Sequence, residues 1–239
     1  MPFTFSHPAI ILPLTFLPKK WYSLTGLVIG SLTPDFEYFL RMKIQSNYSH
    51  SLSGIFWFDI PLSICLAFIF HNYVRNSLFD NLPTILKSRL TNYKAFEWNK
   101  HFKTNWLVII ISIFIGIVSH LLWDSFTHET GYFVEIFSTL TNKIEILNKQ
   151  ISVFKILQHS STLIGGIFIC IALLKLPTKA NFDKQIDLKY WSVLTALTLI
   201  IIAIRLFSGL ELKQIGNFIA TGISAILISL SLTPRILNK

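Results

Sequence analysis

The chain has 239 residues, of which 52% are hydrophobic and only 14% carry a charge. A soluble domain contains about a quarter charged residues, so the composition excludes an ordinary soluble globular protein and indicates a chain surrounded largely by lipid. The formal net charge of +9 would suit a nucleic-acid partner, but no basic stripe with interleaved aromatic residues occurs, and basic loops alone give membrane proteins such a charge.

Apolar runs predict an all-α fold, a polytopic transmembrane bundle of about six spanning helices in one integral membrane domain, 1–239. A short segment near 8–18 comes first. Because three prolines break it and it is too short to cross about 30 Å of hydrocarbon, we expect it to be re-entrant or interfacial. The spans follow near 21–33, 54–74, 105–123, 159–176, 190–208 and 214–232. The motifs fall in 1–131, and three predicted spans lie in 159–239.

The connection 132–158 is expected to contain an amphipathic helix near 135–156, along the membrane surface or capping the bundle. Its apolar residues recur at helical spacing: Ile136, Phe137, Leu140, Ile144, Leu147, Ile151 and Phe154. Cys65 and Cys170 lie in two different apolar runs and indicate neither a disulfide framework nor a cysteine metal site.

Lysine and arginine residues predict the orientation. Of the 21, 14 fall in Lys19–Lys20, the connections 75–104 and 175–189 and the C-terminal tail, which the predicted spans place on one side. Since basic loops collect in the cytoplasm, we expect this side to be cytoplasmic, in a bacterial or archaeal plasma or inner membrane.

Ionisable residues distant in sequence gather on the opposite, non-cytoplasmic side of this topology. They follow or precede spans that end there: Asp35, Glu37, His50, His120, Asp124, His128 and His159. His71 and His101 fall toward the basic side instead and are interpreted as ordinary interface residues.

The stretch SHLLWDSFTHETG places His120, Asp124 and His128 at four-residue intervals, which puts them on one stripe of a helix. An imidazole and a carboxylate one turn apart can hold a metal ion. A hydrogen-bonded pair anchoring a helix end is the alternative. His128 is expected to lie past the helix end.

The other polar residues of this side have alternatives of their own. Asp35 after Pro34 fits a turn or helix cap as well as a ligand, and His50 fits a loop. Asp59, a turn or two inside a span next to Pro61, either marks a functional cavity or satisfies backbone amides near a kink.

Four ordered elements resemble a family of uncharacterised bacterial and archaeal multi-pass membrane proteins, a domain of unknown function. They are MPFTFSHPAI, GSLTPDFEYF, YSHSLSG and SHLLWDSFTHETG. The set is more distantly similar to predicted inner-membrane metal-dependent hydrolases linked to the DNA-damage response. The shape of the ligand set is similar to that of zinc-dependent phospholipase C. In this chain Glu37 replaces the second aspartate of the Pro-Asp-x-Asp element, and no arginine precedes the His50 element.

The resemblance implies a divalent metal, zinc, held by His7, Asp35, His50, His120 and Asp124. Glu37, Asp59, His128 and His159 are then candidates for a general base or for orienting a ligand. The expected function is a membrane-embedded metal-dependent hydrolase whose partners are the lipid bilayer and a lipid head-group substrate. The alternatives are a transporter or channel and a protein with a purely structural metal.

Overall fold

The computed structural model describes residues 3–180, 182–183, 185–211 and 213–237, and these are mostly helical. Four residues used above, Met1 and Pro2 of the opening motif and Lys184 and Lys239 of the basic segments, lie outside the described residues. The chain divides into two compact units. Unit 1 takes the described residues of 1–34, 50–63 and 105–172, and unit 2 those of 35–49, 64–104 and 173–239.

The helices and strands follow one another in this order: α1 (Pro8–Ile11), α2 (Leu24–Leu32), α3 (Phe36–Arg41), α4 (Leu52–Asn81), α5 (Thr84–Leu90), α6 (Trp98–Asp124), α7 (Tyr132–Ile136), α8 (Ser138–Thr141), β1 (Lys143–Ile146), β2 (Lys149–Ser152), α9 (Val153–Leu174), α10 (Leu188–Phe207) and α11 (Ile215–Leu237). Five 3₁₀ turns accompany them: Thr4–Ser6, Leu12–Phe16, Lys19–Trp21, Thr33–Asp35 and Thr91–Tyr93. Helix α4 contains two π-helical stretches, Ile55–Asp59 and Phe70–Val74, and α6 is interrupted at Asn105 (φ −130°, ψ 25°).

Five of these helices, α4, α6, α9, α10 and α11, are long and apolar enough to cross a membrane. The prediction of an all-α, multi-pass membrane protein is therefore confirmed. The segment predicted to span near 21–33 differs. It forms the nine-residue α2, which passes through the 3₁₀ turn Thr33–Asp35 into α3, so the described residues hold five such helices rather than six.

In unit 1, helices α2 and α6 pack backbone to backbone through small residues. A Cβ atom on Gly30 would collide with the carbonyl oxygen of Ile113, and one on Gly116 with that of Leu27. Gly26, one turn before Gly30, lies against α6 in the same way. Small residues four apart let two membrane helices approach this closely. The close approach also brings Ser31, which follows Gly30, next to His120, which lies one turn after Gly116.

The N-terminal segment of unit 1 consists of short turns and the four-residue α1, and none of these elements is long enough to span a membrane. Two hydrogen bonds tie its beginning to α9: the Phe3 amide donates to Thr162 Oγ1, and Ser6 Oγ donates to the Thr162 carbonyl. The segment thus stays short, and its polar groups fasten it to α9.

Unit 2 is built on the pair α10 and α11, which the Thr198–Ser229 hydroxyl bond joins. Ser224 Oγ on α11 donates to the Phe39 carbonyl, and Asn217 Oδ1 accepts from the Ile44 amide. These polar contacts fasten α11 to α3 and to the residues that follow α3.

The prediction of one amphipathic helix near 135–156 is wrong. Helices α7 and α8 occupy its beginning, and β1 pairs with β2 in an antiparallel hairpin with Ile144 opposite Ile151. Leu147 and Asn148 form the turn with positive φ values of 50° and 61°, which is the pattern of a type I′ hairpin turn. Isoleucines at 144, 146 and 151 suit extended strands, and their spacing was compatible with both structures.

Candidate metal centre

Asp124, the last residue of α6, is the centre of a group of four imidazole rings, all within unit 1. The stripe predicted on α6 is present: His120 Nε2 lies 3.3 Å from Asp124 Oδ2. His128 lies past the helix end, as predicted, in a turn whose amides at 127 and 128 donate to the Asp124 carbonyl. His128 Nδ1 lies 3.5 Å from the same Oδ2.

His120 is oriented by the backbone of α2. Its Nδ1 lies 2.7 Å from the Ser31 carbonyl oxygen; because a carbonyl only accepts, Nδ1 carries the proton and donates it. The other nitrogen, Nε2, is therefore the lone-pair nitrogen of the neutral ring, and it faces Asp124. This contact depends on the close approach of α2 and α6, since Gly30 precedes Ser31 and Gly116 lies one turn before His120.

His7 meets Asp124 from the N-terminal segment. Its Nε2 lies 3.2 Å from Asp124 Oδ1, and its Nδ1 lies 3.2 Å from the carbonyl oxygen of Thr4. The ring stacks on that of His120 with centroids 3.8 Å apart and planes 16° apart. Both rings are fully buried. Backbone carbonyls thus give His7 and His120 the same tautomer, with Nε2 turned toward one carboxylate.

His50 completes the imidazole group from the loop before α4. Its Nε2 lies 3.4 Å from Asp124 Oδ2, and its φ of 58° is left-handed, a conformation that costs a non-glycine residue energy and is concentrated at functional sites. The side chain is 19% exposed, and that of His128 is 30% exposed, while Asp124 is only 5% exposed. The centre therefore opens to solvent on the side of His50 and His128.

Asp35, another predicted ligand, is the first residue of unit 2 and is fully buried. Within unit 1 the structure brings together the other four of the five predicted ligands, His7, His50, His120 and Asp124.

The chemistry of this donor set fits a divalent cation. The Nε2 atoms of His7 and His120 face the Asp124 carboxylate at 3.2 and 3.3 Å, and neutral imidazole nitrogens and carboxylate oxygens are both ligands that zinc accepts. Ligand atoms about 2.0–2.1 Å from a tetrahedral zinc ion lie about 3.3 Å apart, close to the nitrogen–oxygen distances of 3.2–3.4 Å found here.

Glu37, a predicted catalytic candidate, is occupied by the loop that precedes His50. Its carboxylate accepts hydrogen bonds from the amides of Asn47, Tyr48 and Ser49 and from the Arg41 guanidinium. Burial opposes ionisation most strongly of any single effect, but these donors together outweigh it and lower the pKa of Glu37 to about 2. The contacts support a positioning role, because they hold the residues immediately before His50.

The other two catalytic candidates lie differently. Asp59 is fully buried in a π-helical stretch of α4, one turn before Ser63, whose hydroxyl lies 2.7 Å from that of Thr33 in unit 1. His159 is exposed on α9 and stands outside the group of possible ligands found among the described residues.

Sequence reasoning missed the Thr4 and Ser31 carbonyls, which carry no side-chain signature. Trp123 was also missed; its ring lies edge-on to His7 with centroids 5.8 Å apart. The glycines at 26, 30 and 116 were a signal that could have indicated how closely α2 and α6 approach.

No curated protein and no solved structure shows significant similarity to the chain. A model of one protein family matches residues 1–234, nearly the whole length, and it includes every residue of the metal centre. The chain therefore belongs to the family described as a domain of unknown function, DUF4184.

Proposed function

We propose that the protein is a membrane-embedded, metal-dependent hydrolase that cleaves a lipid phosphodiester or ester. The observation that carries the proposal is the convergence of four imidazole nitrogens on the single buried carboxylate of Asp124, at 3.2–3.5 Å. Imidazole nitrogens and a carboxylate gathered this closely form a donor set that a divalent cation accepts.

His50, His120 and Asp124 of unit 1 would hold the cation, with His7 binding Asp124 or serving as a further ligand. Nitrogen and carboxylate oxygen donors without thiolate suit zinc. When bound, a divalent cation supplies Lewis acidity, which lowers the pKa of a coordinated water and polarises a phosphoryl or acyl oxygen. The carbonyls of Thr4 and Ser31 keep the imidazoles of His7 and His120 turned toward the site.

The two partly exposed imidazoles mark the side from which a substrate approaches. Hydrolysis requires a proton to leave the attacking water and another to reach the departing oxygen. His128 is the most exposed imidazole of the group and lies in a turn rather than a helix, so it is the residue positioned to carry protons between the site and water. His7 and His120, fully buried, exclude water from the opposite side.

The substrate class follows from the position of the centre along the chain. Asp124 ends a candidate span, and His50 precedes another, which supports a site at the level of lipid head groups rather than midway along these helices. The distribution of basic residues supports the non-cytoplasmic face of a bacterial or archaeal membrane. A head-group phosphodiester or an acyl ester would reach the site there without leaving the bilayer.

Metal analysis of the purified full-length chain tests the first step. Inductively coupled plasma mass spectrometry should find about one zinc per wild-type chain and a strong loss in His120→Ala. His159→Ala, which removes an exposed histidine outside the cluster, should retain the metal. A wild-type protein without stoichiometric metal would refute the proposal.

Activity assays distinguish the hydrolase from the alternatives once metal is found. Release of phosphate-containing head groups or fatty acids from mixed lipid vesicles, lost in His120→Ala, would support hydrolysis. Metal or proton flux into proteoliposomes without lipid cleavage would identify a transporter or channel. Bound metal with neither activity would identify a structural site.

A further inference from the structure

A cavity of about 630 Å³ lies entirely in unit 2, where residues within 71–76 of α4 and residues 94–100, which lead into α6, line it. It is independent of the metal centre, whose imidazoles belong to unit 1. The chemically distinctive lining residues are His71, Arg75, Lys94, Phe96, Trp98 and Lys100. Three of the lining residues are cations, and the one acid, Glu97, is exposed. The cavity is therefore electropositive.

Arg75 is a buried cation held by neutral groups. It is 6% exposed, and its guanidinium donates to His71 Nδ1, the carbonyls of Phe96 and Lys94, and Asn76 Oδ1. A guanidinium has five N–H donors, so these four bonds leave one. No carboxylate lies within ion-pair distance of Arg75 in the part of the chain that the structure describes. A buried charge normally has a partner of opposite sign.

The neighbouring groups are also hydrogen-bond donors. Trp98 is 2% exposed, and its indole N–H has no acceptor among residues 3–180, 182–183, 185–211 and 213–237. Its ring stacks on His71 at 4.7 Å with planes 6° apart. Because His71 Nδ1 accepts from Arg75, the proton of the neutral ring is on Nε2. The charge of Lys94 is already matched by Asp80, at 2.6 Å from both oxygens, whereas no carboxylate of the described residues forms an ion pair with Lys100.

Two parts of the chain line the cavity. Trp98 is the first residue of α6, and the π-helical stretch Phe70–Val74 of α4 contains His71 and ends immediately before Arg75. Single π turns of this kind often occur at functional sites.

We propose that this cavity is a binding site for a phosphate group. A phosphate offers several acceptor oxygens and a negative charge, which match the remaining Arg75 donor, the Trp98 indole N–H and Lys100. Two sources share this chemistry, namely inorganic phosphate in solution and the phosphate of an anionic lipid head group. Part of the lining, residues 94–100, lies at the start of the candidate span Trp98–Asp124, and lipid phosphates are found where such spans end or begin.

The test uses the full-length protein purified in an uncharged detergent. Thermal unfolding is measured with inorganic phosphate against chloride at equal ionic strength, and native mass spectrometry measures binding of phosphatidylglycerol against diacylglycerol, which lacks phosphate. Binding of inorganic phosphate identifies the soluble source. Binding of phosphatidylglycerol, without diacylglycerol or inorganic phosphate, identifies the lipid. Either result supports the site when the variants below follow it.

Lys100→Gln removes an exposed charge of the lining and should weaken phosphate binding about tenfold without unfolding the protein. Arg75→Lys keeps the charge but loses the planar fork, and it should weaken binding at least as much. Lys103→Gln, the matched control, removes an exposed lysine that does not line the cavity and should bind as the wild type does. No binding of either probe to the wild type, or equal binding by Lys100→Gln, would overturn the proposal.

Discussion

Replacing Asp124 by asparagine tests the metal centre most directly, because it changes charge while nearly preserving shape. Asp124 is the residue on which His7, His50, His120 and His128 converge. The amide keeps one oxygen acceptor but puts an NH₂ group in place of the other oxygen. It therefore removes the negative charge and one ligand oxygen without opening a large cavity.

The size of the effect follows from the distances. A cation held between the Asp124 carboxylate and His120 Nε2, which lie 3.3 Å apart, would be closer to the carboxylate than that distance. A positive unit charge at 3.3 Å already interacts with a carboxylate by about 5 kcal/mol at an effective dielectric constant of about 20. The substitution also removes the cost of burying the carboxylate, which offsets part of this loss. A net loss of about 3 kcal/mol corresponds to roughly hundredfold weaker metal binding.

Competition against a chromogenic zinc chelator measures this change in the purified protein. Glu129→Gln is the matched control, because it makes the same carboxylate-to-amide change at an exposed residue five positions later and should leave affinity unchanged. If Asp124→Asn binds zinc within threefold of the wild type while remaining folded, the carboxylate is not a ligand and the interpretation of the cluster fails.

Two further predictions concern the supports of the site. Gly30→Ala should lower the thermal unfolding midpoint in detergent by the equivalent of about 1–3 kcal/mol, because its Cβ collides with the Ile113 carbonyl. The control Gly166→Ala, which has no atom within 4 Å of the added Cβ, should leave the midpoint unchanged. Equal midpoints for the two variants would contradict the α2–α6 packing. Glu37→Gln should reduce stability at pH 7. Because the pKa of Glu37 is lowered from 4.5 to about 2 in the folded state, the wild-type advantage should be complete above pH 4.5 and disappear as the pH falls toward 2. An advantage that is independent of pH across this window would show that charge is not the cause.

The long apolar runs determined most of the fold prediction. In lipid a run of about 20 apolar residues must satisfy its backbone internally, and only a helix does so within one segment. For this reason α6, α9, α10 and α11 could be predicted from composition alone. The hairpin of β1 and β2 could not, because its exposed isoleucines are spaced at intervals that suit a helix face and a strand equally well, and the turn at Asn148 decides between them.

The candidate site was predictable where its geometry is local. His120 and Asp124 share a helix face at four-residue spacing, so their proximity follows from the helix itself. The stacking of His7 on His120 joins residues 113 positions apart and depends on how the N-terminal turns are fastened to α9, which no spacing encodes. The interpretation of His71 as an ordinary interface residue likewise overlooked its bond to Arg75, since a buried arginine is recognised only from its surroundings.

The orientation of the imidazoles explains why such a centre leaves so weak a motif. Nε2 of His120 faces Asp124 because Nδ1 donates to the Ser31 carbonyl, and Nε2 of His7 does so because Nδ1 meets the Thr4 carbonyl. Any residue at position 31 or 4 provides that oxygen, so the ring-orienting contacts constrain the backbone rather than the side chains. The constraint on side chains falls instead on Gly30 and Gly116, where a single added methyl group would push α2 and α6 apart. The Ser31 carbonyl would then move away from His120, whose Nε2 it keeps directed at Asp124.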